Sequence, residues 1–287
     1  PYFRSYSIWP GDETIALIFL CLSIYFAIRF FQSNNNSLIF LLANVLSLAI
    51  ASYLRPIYCI FSIFYFFLFF FNNKFNLKIF FLYLILNILL AFPAFYYVFV
   101  LDITFFFSYF GAFNIVTSLA LVYLTIFFYL TPLIILDIKN TLFRFNFINF
   151  LITVFISMIV LFFFNYEWSS GGGFYYKLSQ FLFNNNVLVY LFFPFAFYYC
   201  NQILELNKIR NLILFLLLII IEMDGHFYME SYDPLFYVLF FTLFDLKITR
   251  NFSVNLSKTV FTIFVFQIFL LFLKFYQLNF INDFKLI

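Results

Sequence analysis

Residues Leu212–Leu246 read LILFLLLIIIEMDGHFYMESYDPLFYVLFFTLFDL, and this stretch decides the fold class. Two apolar runs, Leu212–Ile221 and Leu235–Leu246, enclose a polar segment, Glu222–Pro234. That segment holds four of the twelve acidic residues and the only histidine. Ionisable groups at a membrane boundary are costly to desolvate, so such a cluster is a candidate site. The competing reading is an acidic loop that is simply solvated.

Outward from this stretch the same alternation continues along the chain. Of 287 residues, 66% are hydrophobic, 28% aromatic and 9% charged, where a soluble domain carries roughly 25% charged residues. The mean hydropathy is +1.06. No soluble core needs 56 Phe. The chain is therefore expected to be an all-α, polytopic transmembrane helix bundle forming a single domain over residues 1–287. The excess of Phe, Ile, Asn, Lys and Tyr also resembles the bias of an AT-rich coding sequence, which makes much of the Phe generic lipid-facing bulk. A net charge of +3 reports topology before anything else and points to no nucleic acid. Cys21, Cys59 and Cys200 stand apart within apolar runs and read as small buried hydrophobes without a metal or disulfide framework.

A helical span needs about 20 apolar residues, fewer where it is short or tilted. Ten runs qualify: Thr14–Phe31, Leu38–Leu54, Ile57–Phe71, Ile79–Leu101, Ile115–Leu136, Phe147–Phe164, Val187–Cys200, Leu212–Ile221, Leu235–Leu246 and Thr259–Tyr276. Asp12-Glu13 open the first, where acids complement the helix dipole. Pro93 and Pro132 fall inside spans, with a kink expected at Pro93. Asp102–Asn114 is too short to cross and reads as an interfacial or re-entrant piece. The segment from about Asn165 to Asn186 reads as the longest outer loop.

Numbering the loops alternately places ten of the fifteen basic residues on one side: Arg29, Lys74, Lys78, Lys139, Arg144, Lys208, Arg210, Lys247, Arg250 and Lys258. By the positive-inside rule that side is cytoplasmic. Acids segregate the other way, with only Asp137, Glu205 and Asp245 on the basic side. A working surface facing outward would explain this. That surface collects Asp102, Glu167, Glu222, Asp224, His226 and Glu230 with Gly171, Gly172 and Gly173. Arg55, in SYLRPIY, ends a span at headgroup depth and can fork onto a phosphate; otherwise it is a snorkelling anchor. The glycine run lets backbone N–H groups approach an anion, with Lys177 close behind, but lacks P-loop spacing. A flexible turn is the alternative. His226 with Asp224 and Glu230 matches no zinc signature, and a satisfied interfacial histidine is the simpler reading.

Several segments, YFRSYSIWPGDETIALIFLCLSIYF, SYLRPIY, GGGFYYKLS and YMESYDPLFYVLFF, resemble stretches of bacterial membrane glycosyltransferases of the C-type superfamily. The similarity is spread over most of the chain. It implies a polyprenyl-phosphate-linked sugar as donor, a glycan, lipid or protein acceptor of the cell envelope, and a site at the outer face of a bacterial inner membrane. In that superfamily a catalytic carboxylate follows the first helix, whereas Asp12-Glu13 here precede the first visible one. The role is therefore not carried to them. The chain starts Pro1-Tyr2-Phe3-Arg4 without a methionine, so the expectation is that the first helix and its loop lie upstream. Glu222 and Asp224 are then the catalytic candidates, and Arg55 and Lys177 the candidates for the donor phosphate. Asp102, Glu167, Gly171–Gly173, His226 and Glu230 would form the outer wall. No cofactor follows from these residues, and no metal ligand set is assigned, although a divalent ion is compatible with the carboxylates. A transporter or flippase of lipid-linked sugars is the alternative; it calls for polar groups at mid-span, of which Asn44, Asn87 and Gln267 are the few present. A polysaccharide polymerase or ligase is a third, for which the outer loop is modest.

Overall fold

In the computed structural model the described residues are 12–33, 38–72, 77–96, 114–136, 146–166, 171–221, 227, 232, 234–246 and 256–280. Asp102, Glu167, Glu222, Asp224, His226 and Glu230 lie outside them. The described residues are helical with no strand. In chain order they form α1 (Asp12–Gln32), α2 (Leu38–Leu54), a 3-10 turn (Pro56–Ile60), α3 (Phe61–Asn72), α4 (Leu77–Phe95), α5 (Ile115–Leu136) and α6 (Phe147–Phe162). There follow α7 (Gly173–Phe183), α8 (Val187–Ile203), α9 (Ile209–Ile220), α10 (Leu235–Thr242) and α11 (Leu256–Phe280).

This is a helical membrane protein. Among the described residues three helices, Thr14–Gln32, Leu77–Phe95 and Ile115–Leu136, are long and apolar enough to cross a bilayer, and six shorter ones are apolar. Large apolar side chains face outward on α4, α6 and α11, among them Phe92, Phe155, Phe162, Phe261 and Phe272. Such continuous apolar exposure suits lipid and not water. The Phe-rich composition therefore divides: rings such as Phe30, Phe64 and Phe69 pack the interior, and others such as Phe162 and Phe272 coat the outside.

Each of the ten apolar runs builds a helix, with informative departures. Pro56 has no N–H to donate, so α2 stops at Leu54 and the chain restarts as a 3-10 turn before α3. Pro93 falls in the last turn of α4, and Pro194 lies inside α8. The run Leu235–Leu246 yields only the eight-residue α10, about 12 Å long at 1.5 Å per residue, much less than a hydrocarbon core. Within the expected outer loop Asn165–Asn186 stands a helix, α7. It starts at Gly173 and closes on Asn184, whose φ of 51° is a left-handed cap. Of the cysteines, Cys200 is buried and Cys21 partly so, but Cys59 is exposed, because the 3-10 turn carries it to the surface.

α1 to α4 form one bundle, within which α1 and α2 make the most extensive helix pair. α5 is the axle of the remainder and meets α6, α7, α8, α9 and α11. Its buried residues face in nearly every direction, from Thr117 through Tyr123 to Leu133. α9 against α3 and α10 against α1 join the two halves. Mid-span polar groups are used between helices. The Asn44 amide donates to the Ser23 carbonyl and hydroxyl, both at 2.8 Å, and ties α2 to α1. Asn87 instead turns back on Tyr83 O within α4 at 2.8 Å.

One pole is tied by charge. Asn211, fully buried, donates to Leu204 O (2.8 Å) and Asp245 O (3.1 Å), and its side-chain oxygen accepts from Asp245 N (2.9 Å). The Lys208 ammonium reaches Asp245 O (2.6 Å), the Asp245 carboxylate (3.0 Å) and the Glu205 carboxylate (3.1 Å). Glu205 itself adopts φ +46°, uncommon for a residue with a Cβ. The α8–α9 connection is thus fastened to the chain just beyond α10. Desolvation pulls the Lys208 pKa down, but hydrogen bonds to Asp245 and Glu205 outweigh it, and the net shift is upward.

Candidate functional site

The site forms where two segments descend into the bundle beside α5. Thr117, near the start of α5, hydrogen-bonds Asn165 through its hydroxyl, to O at 3.0 Å and from N at 3.2 Å. Eight residues further on, Thr125 stands against Gly173: a Cβ on that glycine would lie 3.1 Å from Thr125 Oγ1. Eight helical residues correspond to about 12 Å. Asn165 therefore lies beside one end of α5 and Gly173 beside its middle, so the expected outer loop contributes Gly173 at mid-bundle depth.

The second segment is the acidic stretch of the opening quotation. Its Phe227 is latched at both backbone atoms, with N donating to Tyr166 Oη (3.1 Å) and O accepting from Gly172 N (2.9 Å). The Phe227 ring stacks on Tyr232 with centroids 5.3 Å apart, and the Tyr232 hydroxyl donates to Leu218 O of α9 at 2.9 Å. Both rings are buried. Apolar side chains and paired backbone draw the described part of this segment inward, so it is not a solvated loop at Phe227 and Tyr232. The stretch and the glycine run, far apart in sequence, are adjacent in the fold. Pro234 holds the N-cap position of α10, with no side-chain cap bond.

Close approach accounts for the glycines. A Cβ on Gly171 would fall 2.3 Å from Tyr166 Oη and 2.5 Å from Phe227 O. Gly172 has φ +94°, and a Cβ there would meet the Tyr176 ring at 2.2 Å. These are positions for glycine on steric grounds alone, and the turn is held firmly instead of being flexible. Tyr166 and Tyr176 brace it, with rings edge to face at 4.8 Å and the Tyr176 hydroxyl donating to Tyr166 O at 3.2 Å.

Gly172 is also the N-cap of α7 and has no side chain with which to cap it. The first N–H groups of a helix have no partner within it and carry the positive end of the dipole. Lys177 follows four residues after Gly173, on the same side of α7. Expected within the outer loop, it is buried, at 6% exposure, because α7 packs between α5 and α8. Thr125 Oγ1 completes the group, buried at 2% exposure with no hydrogen-bond partner. The spacing of the sequence carried no sign of Thr125, since a threonine inside an apolar run matches any helix interior.

Arg55 stands elsewhere. It is half-buried at the end of α2, its guanidinium lies 5.7 Å from the Tyr58 ring centroid, and its carbonyl accepts from Tyr58 N at 3.0 Å. Of the two phosphate candidates, Lys177 follows the glycine run on α7 and Arg55 borders the 3-10 turn. Among the described residues no three His, Cys, Asp or Glu side chains assemble into a metal site. Compared with known protein families, curated proteins and solved structures, the chain matches none.

Proposed function

We propose that this protein is a membrane glycosyltransferase that moves a sugar from a polyprenyl-phosphate donor to a cell-envelope acceptor at the outer face of a bacterial inner membrane. The observation that carries this reading is the latch of Phe227 onto Gly172. It sets Phe227, of the stretch Glu222–Pro234, against a glycine-lined helix start that is followed by a buried lysine. Transfer needs two things that such a place supplies: a base for the acceptor and positive potential for the departing phosphate. A carboxylate of Glu222 or Asp224 takes the acceptor hydroxyl proton as the acceptor oxygen bonds to the anomeric carbon. The bond from that carbon to the phosphate oxygen breaks, and polyprenyl phosphate leaves.

The test uses purified protein in proteoliposomes with a radiolabelled polyprenyl-phosphate sugar. Glu222→Gln or Asp224→Asn is expected to lower transfer by roughly 100-fold at unchanged protein level, the usual scale for loss of a general base. Full transfer by both variants would end the assignment. Orientation is checked in the same vesicles with single cysteines at Asn35 and Ser231, of which only Ser231 should react with an impermeant thiol reagent added outside.

A transporter or flippase of lipid-linked sugars is the second reading. It is favoured by the start of α7 at mid-bundle depth, since interrupted helices near the bilayer midplane form binding sites in transporters. Movement of a fluorescent polyprenyl-phosphate sugar across the vesicle bilayer, without formation of a new glycosidic bond, would select it.

A further inference from the structure

We propose that the first turn of α7 together with Thr125 is a binding site for a phosphate monoanion or dianion, held inside the bundle and not at the headgroup layer. Three observations converge on it. The N–H groups of the opening turn of α7 follow a glycine cap that offers them no side-chain oxygen. Thr125 Oγ1 is buried at 2% exposure, unpartnered, and sits against Gly173 close to where a Cβ would lie, 3.1 Å away. Lys177 adds positive charge one turn along, on the side of α7 that carries Gly173.

Physical chemistry narrows the occupant. An orphaned hydroxyl in an apolar interior costs about 1–3 kcal/mol, so a partner that accepts its proton is strongly favoured there. The helix dipole and the lysine both select for negative charge. An oxyanion suits this place: it accepts from the hydroxyl and from the backbone N–H groups, beside the positive charge of Lys177. Gly173 keeps the approach open, because any side chain at that position would project toward Thr125.

This deepens the proposed function and rests on it only for the source of the phosphate. In the transferase reading the phosphate belongs to the polyprenyl donor, and the isoprenoid tail runs out toward lipid. The same site would hold free phosphate if the protein served another purpose.

The test measures binding to the full chain in nanodiscs with three probes: undecaprenyl phosphate, undecaprenol and inorganic phosphate. Undecaprenyl phosphate is expected to bind well and undecaprenol poorly. Thr125→Val, which keeps shape but removes the hydroxyl, is expected to weaken phosphate binding roughly tenfold, in line with loss of a hydrogen bond to a charged group. Thr125→Ser should restore most of it. Gly173→Ala, which intrudes on the hydroxyl, should weaken binding as well. Equal affinity for undecaprenol and undecaprenyl phosphate overturns the proposal, as does wild-type phosphate affinity in a folded Thr125→Val protein. Tight binding of inorganic phosphate with the same Thr125 dependence upholds the anion site and assigns it to free phosphate. Phosphate binding that persists in a protein with no glycosyl transfer would count against the transferase reading alone.

Discussion

Two polar clusters stand at opposite ends of α9, and they treat their hydrogen bonds differently. At the Lys208 end the groups are satisfied by one another: Asn211 serves Leu204 and Asp245, and Lys208 serves Asp245 and Glu205. Only the Arg210 Nε there is left without a partner among the described residues. At the Phe227 end the backbone is equally well paired, yet a deeply buried hydroxyl, Thr125 Oγ1, faces an uncapped helix start. Both lie in an apolar protein where an unmet donor is expensive. A cluster that closes on itself does mechanical work, holding helix ends together. One that leaves a donor pointed at a helix N-terminus is unfinished without something else, and this asymmetry locates the site.

The largest expected effect would come from breaking the latch. Gly171→Ala drives a methyl into Tyr166 Oη and Phe227 O. Gly172→Ala adds strain at φ +94° to a ring clash. Each should cost on the order of 2–4 kcal/mol, seen as a lower thermal midpoint in detergent and as lost transfer. A Gly171→Ala protein with wild-type stability would show that the latch does not close as described.

Next in size is Asn211→Ala at the opposite end. It strips partners from Leu204 O and from both backbone groups of Asp245, at about 2–3 kcal/mol. Phosphate binding per folded molecule should not change. If binding falls in step with stability, the two clusters are coupled through α9 and the division drawn between them fails.

Tyr166→Phe is a sharper probe of the site. It removes the acceptor for Phe227 N, worth about 1 kcal/mol in stability, and leaves the ring in place. Hydrogen exchange at the Phe227 amide should accelerate while the rest of the pattern is kept. Unaltered exchange would mean that Phe227 N has another partner.

Lys208→Met should be smallest, below about 1 kcal/mol, because the ammonium is one-third exposed and water screens the pair. Its pH behaviour has a definite sign. A lysine raised above its ordinary value of 10.5 contributes stability that is complete below that value. The contribution is lost only as pH rises through the folded-state value. Stability differences between wild type and Lys208→Met should therefore be flat from pH 6 to 9 and shrink above about pH 10.5.

Much of the fold was legible in order of sequence. Runs of apolar residues require internally hydrogen-bonded helices in lipid, and such runs are contiguous, so α2 and α5 begin and end where the apolar pattern does. Asn146 caps α6, accepting from Ile148 N and Asn149 N at 3.0 and 3.2 Å. Local signals also marked the glycine run and the acidic stretch as unusual. They could not reveal α7, since FYYKLSQFLF is short, aromatic and flanked by polar residues, and reads equally well as a loop.

The sequence by itself determined that this is an all-helical membrane protein with polar segments concentrated between Asn165 and Pro234, because hydrophobicity and helix formation are properties of neighbouring residues. Tertiary structure alone decided that Gly172 pairs with Phe227, that Lys177 is buried and that Thr125 faces the start of α7. Those facts depend on how helices distant in the chain pack around α5. Such packing is set by complementary shape and by the need to pair buried polar groups, and neither leaves a periodic mark on the residues involved.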